Sequence, residues 1–478
     1  MVDSSPPDLT AHPWFFCGIG GSGMFPLAQI LKGRGARVAG SDRSRDQGRS
    51  PEKFAWLEAQ GFTLFPQDGS GITSADQILV ASAAVEDSVP EVARAAQLGC
   101  RRMSRAELLA DLFNSARFGI AVGGTSGKST VTGMLGWILA DNEYDPTIMN
   151  GAVMKNFRSA DVPFASAVVG TGAPFVSEVD ESDGSIALYR PKVGVLLNVS
   201  LDHKSIEELR ALFRNFLKAS ARVAVNFDDE ESFYLAEGLD NVLPFGIHAP
   251  QAVITIEHGT IEETPTSIAA VIIDKREKTA WPLTLPMPGR HNLSNALAAI
   301  AGANAAGVPV EEAVHALRLF AGMARRFDIV GTSASGVTVI DDFGHNPEKC
   351  AATLRALRAH PGRVIAFFQP HGYGPLRQMG HELAATFARE LADGDRLVLC
   401  DPVYFGGTVD RSEGSERIVA MVREMAGAKA LEAEYIASRE ECGQHIARLA
   451  QPGDRIVVMG ARDDTLTGFA QGILAALA

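Results

Sequence analysis

Short apolar runs recur along the chain, and many end at glycine or an acid before a stretch with helical periodicity begins. The first run, residues 14–19, closes in glycines. Residues 25–32 then have helical character, and 36–39 predict the next strand. Further short strands are predicted at 78–81 and 100–103, with helices between them. A second opening of the same kind starts at 118–122, passes through another glycine-rich turn and continues as a helix at 131–140. Strands follow at 166–169, 176–179 and 193–198, a helix at 206–219, short antiparallel strands at 253–257 and 269–273, and a small-residue helix at 292–306. From residue 337 the pattern alternates, with strands at 337–340, 364–368, 396–400 and 455–459 and helices at 347–359, 380–391, 416–426 and 439–449. Such strand–turn–helix alternation predicts α/β layers built on parallel sheets, doubly wound in the last third. The breaks place three domains at 1–116, 117–328 and 329–478.

Composition narrows this picture. A chain of 478 residues, 46 % of them hydrophobic, exceeds what one core holds and is globular. Its formal charge of −13, from 57 acids against 44 bases, argues against a nucleic-acid partner and against an anionic membrane surface. Cys17, Cys100, Cys350, Cys400 and Cys442 are scattered with no CxxC pair, which fits reduced thiols in a cytosol. No signal peptide precedes the first run, and no stretch of about 18 apolar residues predicts a membrane span. A cytoplasmic enzyme, monomer or homodimer, is the expectation.

Candidate chemistry sits where the apolar runs end. The turn Gly18-Ile19-Gly20-Gly21-Ser22-Gly23-Met24 would let backbone N–H groups approach a diphosphate at a helix N-terminus, with Ser41 and Asp42 closing the next strand near a ribose. This signal suits NAD, FAD or a UDP-sugar equally, and a mere tight turn also accounts for it. The second turn, Gly124-Thr125-Ser126-Gly127-Lys128-Ser129-Thr130, is more specific. It follows an apolar strand and opens a helix, the context of a P-loop, in which Lys128 reaches the β- and γ-phosphates and Ser129 can ligate Mg2+. Val122 occupies the first glycine position of the longer template.

Downstream, Glu178-Val179-Asp180-Glu181-Ser182-Asp183 ends another apolar run, where a metal ligand is needed; a solvated charged face is its bland reading. His203, in Asn198-Val199-Ser200-Leu201-Asp202-His203, ends a further strand. Asn292 and Asn295, in Gly289-Arg290-His291-Asn292-Leu293-Ser294-Asn295-Ala296, fit a nucleotide base or ribose contact better than an N-cap alone. Arg325-Arg326-Phe327-Asp328 and Asp341-Asp342-Phe343-Gly344-His345-Asn346-Pro347 fit either surface ion pairs or a shared cleft.

In order and spacing, from about residue 14 to 470, these motifs resemble the Mur ligase family, in the branch acting directly on UDP-N-acetylmuramate. The resemblance implies a Rossmann-like N-terminal domain holding the UDP-sugar, a central P-loop ATPase domain and a C-terminal Rossmann-like domain. It implies an ATP- and Mg2+-dependent ligase that activates the sugar carboxylate as an acyl phosphate and joins it to an amino acid, with L-alanine foremost, or to a short peptide. Lys128 is then similar to the family's P-loop lysine, Glu178 and His203 to its Mg2+ pair, Asn292 and Asn295 to the paired amides near ATP, Arg326 to the arginine near the phosphates, and Asp342 to the C-terminal aspartate. His345, His371 and Arg377 would serve the amine substrate. In Phe368-Gln369-Pro370-His371-Gly372-Tyr373-Gly374-Pro375-Leu376-Arg377, however, Gly372 and Pro375 stand where the alanine-adding type carries arginines. Gly460-Ala461-Arg462-Asp463-Asp464-Thr465 puts charge in a usually glycine-rich turn. A nicotinamide dehydrogenase built on the first turn, or a non-catalytic UDP-sugar or nucleotide sensor, would be the readings left if ligation failed.

Overall fold

The computed structural model describes residues 8–83, 85–200, 204–404 and 410–477. The chain divides into two compact units, one made of 1–262, 268–286 and 290–322, the other of 263–267, 287–289 and 323–478.

The first unit carries two sheets. Five parallel strands form the N-terminal one in the order Thr63–Phe65, Val38–Ser41, Trp14–Cys17, Ile78–Ala81 and Arg101–Ser104. The order reverses direction beside Trp14–Cys17, which puts the first glycine-rich turn at the switch point where open α/β sheets collect ligands. The second sheet has a parallel heart in the order Val242–Phe245, Arg222–Asn226, Val193–Leu196, Phe118–Gly123, Pro174–Glu178 and Thr147–Met149. Phe118–Gly123 is central in it and buried from its second residue onward, as a strand covered on both faces must be. An antiparallel extension through Ile254–Ile256, Ile268–Asp274 and Thr279–Leu285 completes one side. One apolar core joins the lobes, from Phe16, Leu27 and Leu31 to Phe175, Phe213 and Phe216. Rings of Phe25, Trp56 and Phe164 meet in it at centroid distances of 5.8 to 6.0 Å. That shared burial is why the two sheets form one unit.

The second unit holds a six-stranded sheet in the order Asp328–Thr332, Thr338–Asp342, Arg455–Gly460, Val364–Gln369, Arg396–Leu399 and Glu432–Tyr435, parallel apart from its first strand. Separate apolar clusters fill its two faces. The α/β class and the parallel sheets expected from the sequence are what the chain forms.

Several edge elements differ from the sequence pattern. Glu432–Tyr435 contains a single apolar aliphatic residue and is an edge strand by pairing alone. Thr279–Leu285 contains Pro282, which an edge strand tolerates because its missing N–H is not needed for a second ladder. The helix expected to begin near residue 380 runs instead over Tyr373–Glu390, with Gly372 as N-cap at φ +146°. Pro375 falls in its first turn, where no intrahelical partner awaits an N–H, so a residue that reads as a breaker is accommodated.

Candidate functional site

The first glycine-rich turn is held by the strand beside it. Gly18 N and Ile19 N donate to Ser41 O at 2.8 and 3.1 Å. Gly20 N donates to Asp42 Oδ2 at 2.8 Å, and Ser44 N to Asp42 Oδ1 at 2.8 Å. The Ser41 hydroxyl is buried and donates to Glu91 Oε1 at 2.8 Å. Ser41 and Asp42 thus stand at the turn, as expected, but their polar atoms brace its backbone. The ten-residue helix Met24–Gly33 starts from Gly23 with no side-chain cap, and Phe25 N donates back to Gly21 O at 2.8 Å, so the positive end of the helix dipole lies beside Ser22 and Gly23. Arg105, which the sequence did not single out, packs against Gly23 and reaches Asp183 at 3.4 Å.

The second turn is built differently. Gly124 at φ +144° and Gly127 at φ +90° turn the chain out of Phe118–Gly123 and into the helix Lys128–Asp141. Asn198 clamps the loop: Ser126 N donates to its Oδ1 at 2.8 Å and its Nδ2 donates to Ser126 O at 3.0 Å. Thr125 N donates to Asn198 O at 3.1 Å, and Ser200 N to the Thr125 hydroxyl at 3.0 Å. Lys128 Nζ donates to Gly124 O at 2.7 Å and to both oxygens of Glu181 at 2.7 and 3.0 Å. The Ser129 hydroxyl donates to Glu178 Oε2 at 2.8 Å, and Asn150 Nδ2 to Ser129 O at 2.9 Å. Burial pushes the Asp180 carboxyl up, but donation from Ser182 and the Lys128 charge outweigh it and leave it below its ordinary value. Asn295 lies over the turn so closely that a Cβ on Gly127 would stand 2.6 Å from its Oδ1, and Asn292, one helical turn back, accepts from Asn295 Nδ2 at 3.5 Å. The structure therefore brings Gly124 to Thr130, Glu178, Asn292 and Asn295 together. His203 lies outside the described residues. Among the described residues no group of three or more His, Cys, Asp and Glu side chains is arranged to hold a metal ion.

The second unit gathers the remaining candidates at the carboxyl ends of its parallel strands. Asp342 accepts from Phe327 N, Gly344 N and the Thr353 hydroxyl, each at 2.8 Å, so it organises the chain around it. The Arg326 guanidinium lies 4.4 Å from the Phe343 ring centroid. His345 and His371 meet edge to face at 5.1 Å. Burial, aided by Lys349, pushes the His345 imidazole down to about 3; burial, aided by Arg462, pushes His371 down to about 4. Both rings are neutral at pH 7. His345 Nδ1 lies 2.8 Å from Phe343 O, which fixes the proton on Nδ1 and leaves Nε2 as an acceptor. Arg377 turns to the loop, Nη2 donating to Asp410 O at 3.0 Å.

A P-loop at the end of a central parallel strand, with a hydroxyl and a carboxylate beside its lysine, defines a nucleotide-binding phosphoryl-transfer domain. Comparison with known proteins makes the class specific. The description "Mur ligase family, catalytic domain" matches residues 15–117, "Mur ligase middle domain" 122–303, and "Mur ligase, glutamate ligase domain" 325–462. The chain belongs to the Mur ligase family, and so to the ATP-dependent ligases. It is 33 % identical over 457 residues to UDP-N-acetylmuramate–L-alanine ligase of Pelotomaculum thermopropionicum, covering 94 % of each chain. It is 34 % identical over 465 residues to the enzyme of that name in Agrobacterium fabrum, again over 94 % of each. Among solved structures it resembles UDP-N-acetylmuramate-alanine ligase from Thermotoga maritima, with a TM-score of 0.79 and 23 % identity over 97 % of this chain and 98 % of that one. A murein peptide ligase from Psychrobacter arcticus gives 0.70 and 23 %, over 98 % of each.

Proposed function

We propose that this protein joins the carboxylate of UDP-N-acetylmuramate to L-alanine at the expense of ATP, in peptidoglycan synthesis. The observation that carries the reading is the convergence of Lys128, Ser129 and Glu178 on one P-loop in a chain of this family. An amide does not form from a carboxylate at neutral pH without activation. Transfer of a phosphoryl group to the sugar acid supplies it, the acyl phosphate is attacked by the amine, and phosphate departs. In this reading the chain divides at 1–116, 117–328 and 329–478 into UDP-sugar, ATP and C-terminal domains.

The residues take the following roles. Backbone amides at the helix end of the Gly18–Met24 turn hold the diphosphate of the sugar nucleotide, remote from the reacting carboxylate, and the earlier amides of the turn keep its shape. Gly124 to Thr130 wrap the ATP phosphates, Lys128 leaves Glu181 to neutralise the β- and γ-phosphates, and Asn292 and Asn295 flank the nucleotide. The Ser129 hydroxyl and the Glu178 carboxylate are hard oxygen donors of the kind Mg2+ takes, and a Cβ on Gly151 would lie 2.4 Å from Glu178 Oε1, so a larger residue there would displace the carboxylate. His203 completes the set in this reading. When bound, Mg2+ neutralises charge building on the transferred phosphoryl group. Arg326, similar to the family's arginine, lies over the Phe343 ring, and Asp342 fixes the backbone on both sides of it, at Phe327 and at Gly344. Neutral His345 and His371 accept hydrogen bonds from the amine and orient it without protonating it. Both substrates are cytoplasmic metabolites, and so is the enzyme in this reading.

The test is phosphate release from ATP with UDP-N-acetylmuramate and each of a panel of amines, the product identified by mass spectrometry. Phosphate and UDP-N-acetylmuramoyl-L-alanine in equal amounts are expected. A peptide product in place of the alanine adduct would move the enzyme to the recycling reaction, and no phosphate with any muramyl donor and any amine would sink the reading.

A further inference from the structure

A free amino acid presents two groups to a ligase: the amine that reacts and a carboxylate that must be held elsewhere. The neutral imidazoles of His345 and His371 suit the first. In the second unit, Val364–Gln369 and Arg455–Gly460 run parallel with Gln369 opposite Gly460. His371 and Arg462 each lie two residues past that pair, so the two segments leave the sheet side by side. The approach is close, since a Cβ on Gly460 would stand 2.9 Å from Gln369 O.

The turn carrying Arg462 is clamped from several sides. Arg325 Nη2 donates to Gly460 O at 2.7 Å and Nη1 to Asp463 O at 3.0 Å. Gln369 Nε2 and Arg439 Nη1 donate to Asp463 Oδ2 at 2.8 and 2.9 Å. Between these fixed points Arg462 stands at φ +61° with an exposed side chain. Glycine would adopt that conformation without strain, whereas a long cationic residue there costs folding energy. Its charge is the largest acting on His371, ahead of Lys349. Arg377, the arginine of the neighbouring segment, is committed to Asp410, and Gly372 and Pro375 bring no charge.

We propose that Arg462 binds the carboxylate of the amino-acid acceptor beside His371 and so selects free amino acids over their amides. This rests on the ligase reading above. A guanidinium offers a planar pair of donors matched to a carboxylate, and the clamped turn fixes the backbone that presents it at the acceptor edge.

The experiment compares L-alanine with L-alaninamide, which keeps the amine and lacks the carboxylate. Arg462→Gly removes the guanidinium and relieves the backbone strain, so the variant folds with an equal or higher Tm. The ratio of kcat/KM for L-alanine over L-alaninamide is expected to fall about tenfold or more, through KM for L-alanine, and Arg462→Lys to retain part of the preference. A ratio unchanged in Arg462→Gly overturns the proposal. A second measurement does not depend on turnover: L-alanine is titrated into wild type and Arg462→Gly while the His371 imidazole is followed by NMR. About tenfold weaker binding in the variant supports the proposal, and equal affinities overturn it. If the wild type makes no amide with any amine yet this titration still separates the two proteins, the ligase reading fails and the role of Arg462 stands.

Discussion

The two glycine-rich corners of the first unit have the same outline and opposite construction. At Gly18–Met24 the Asp42 side chain and the Ser41 carbonyl brace the turn while the Ser41 hydroxyl is taken by Glu91, so what the turn offers a ligand is mostly backbone N–H at a helix end. At Gly124–Thr130 the bracing comes from Asn198, just past the adjoining strand, and from the Thr125–Ser200 contact, while Lys128 and Ser129 turn to acids of the 178–183 run. Lys128 and Ser129 each pair with an acid of the 178–183 run, partners that the proposed reading has them exchange for a triphosphate and a cation. In the proposed reading the first corner is a grip and the second a reaction site. A grip made of backbone says little about its ligand, which is why the first motif alone suits several nucleotides and the second points to phosphoryl transfer.

The sharpest way to break this contrast is to remove the lysine. Lys128→Ala should lower amide formation about a thousandfold or more while UDP-N-acetylmuramate still binds, because phosphoryl transfer relies on charge placed at the transferring group. Near-normal turnover in a phosphate-release assay would mean the second corner is not the reaction site. Glu178→Gln comes next. It keeps a partner for the Ser129 hydroxyl and an oxygen donor but removes the carboxylate's charge, so kcat should fall about a hundredfold and the Mg2+ concentration for half-maximal rate should rise. A loss of rate with unaltered Mg2+ dependence would remove Glu178 from the metal.

How far the sequence went follows the same division. The second corner was legible residue by residue because its chemistry is local: glycines, lysine and hydroxyl act within a single turn. The parallel heart of each sheet was legible too, since strands buried on both faces read as apolar runs. Partners brought in from a distance were not. Glu181 lies 53 residues beyond Lys128, and which acid of the 178–183 run meets the lysine depends on the turn after Pro174–Glu178 rather than on composition. Asp42 could be placed at a strand end, but its engagement by Gly20 and Ser44 amides needed the folded turn. Arg462 showed only as charge in a glycine-type turn, and its nearness to His371 comes from strand register.

The finest test of the contrast uses glycines, one from each corner, and asks what an added methyl does. Gly127 sits at φ +90° with Asn295 Oδ1 2.6 Å from where a Cβ would go and Leu197 Cδ1 at 3.3 Å. Gly127→Ala therefore strains the backbone and also pushes Asn295 from its place over the turn, where the proposed reading puts the nucleotide. KM for ATP should rise about tenfold, a cost near 1.4 kcal/mol of binding. Gly18 sits at a similar φ of +79° but a Cβ there meets nothing within 4 Å. Gly18→Ala carries the backbone term alone, about 1 kcal/mol, visible as a Tm lower by a few degrees with little change in KM for ATP. The two φ values are alike, so the conformational cost nearly cancels between the variants. What remains in the difference is the crowding over the second corner, which exists because that turn is packed against the groups it serves. Equal effects on KM for ATP would mean that Asn295 is not held against the nucleotide, and the distinction between grip and reaction site would lose its structural basis.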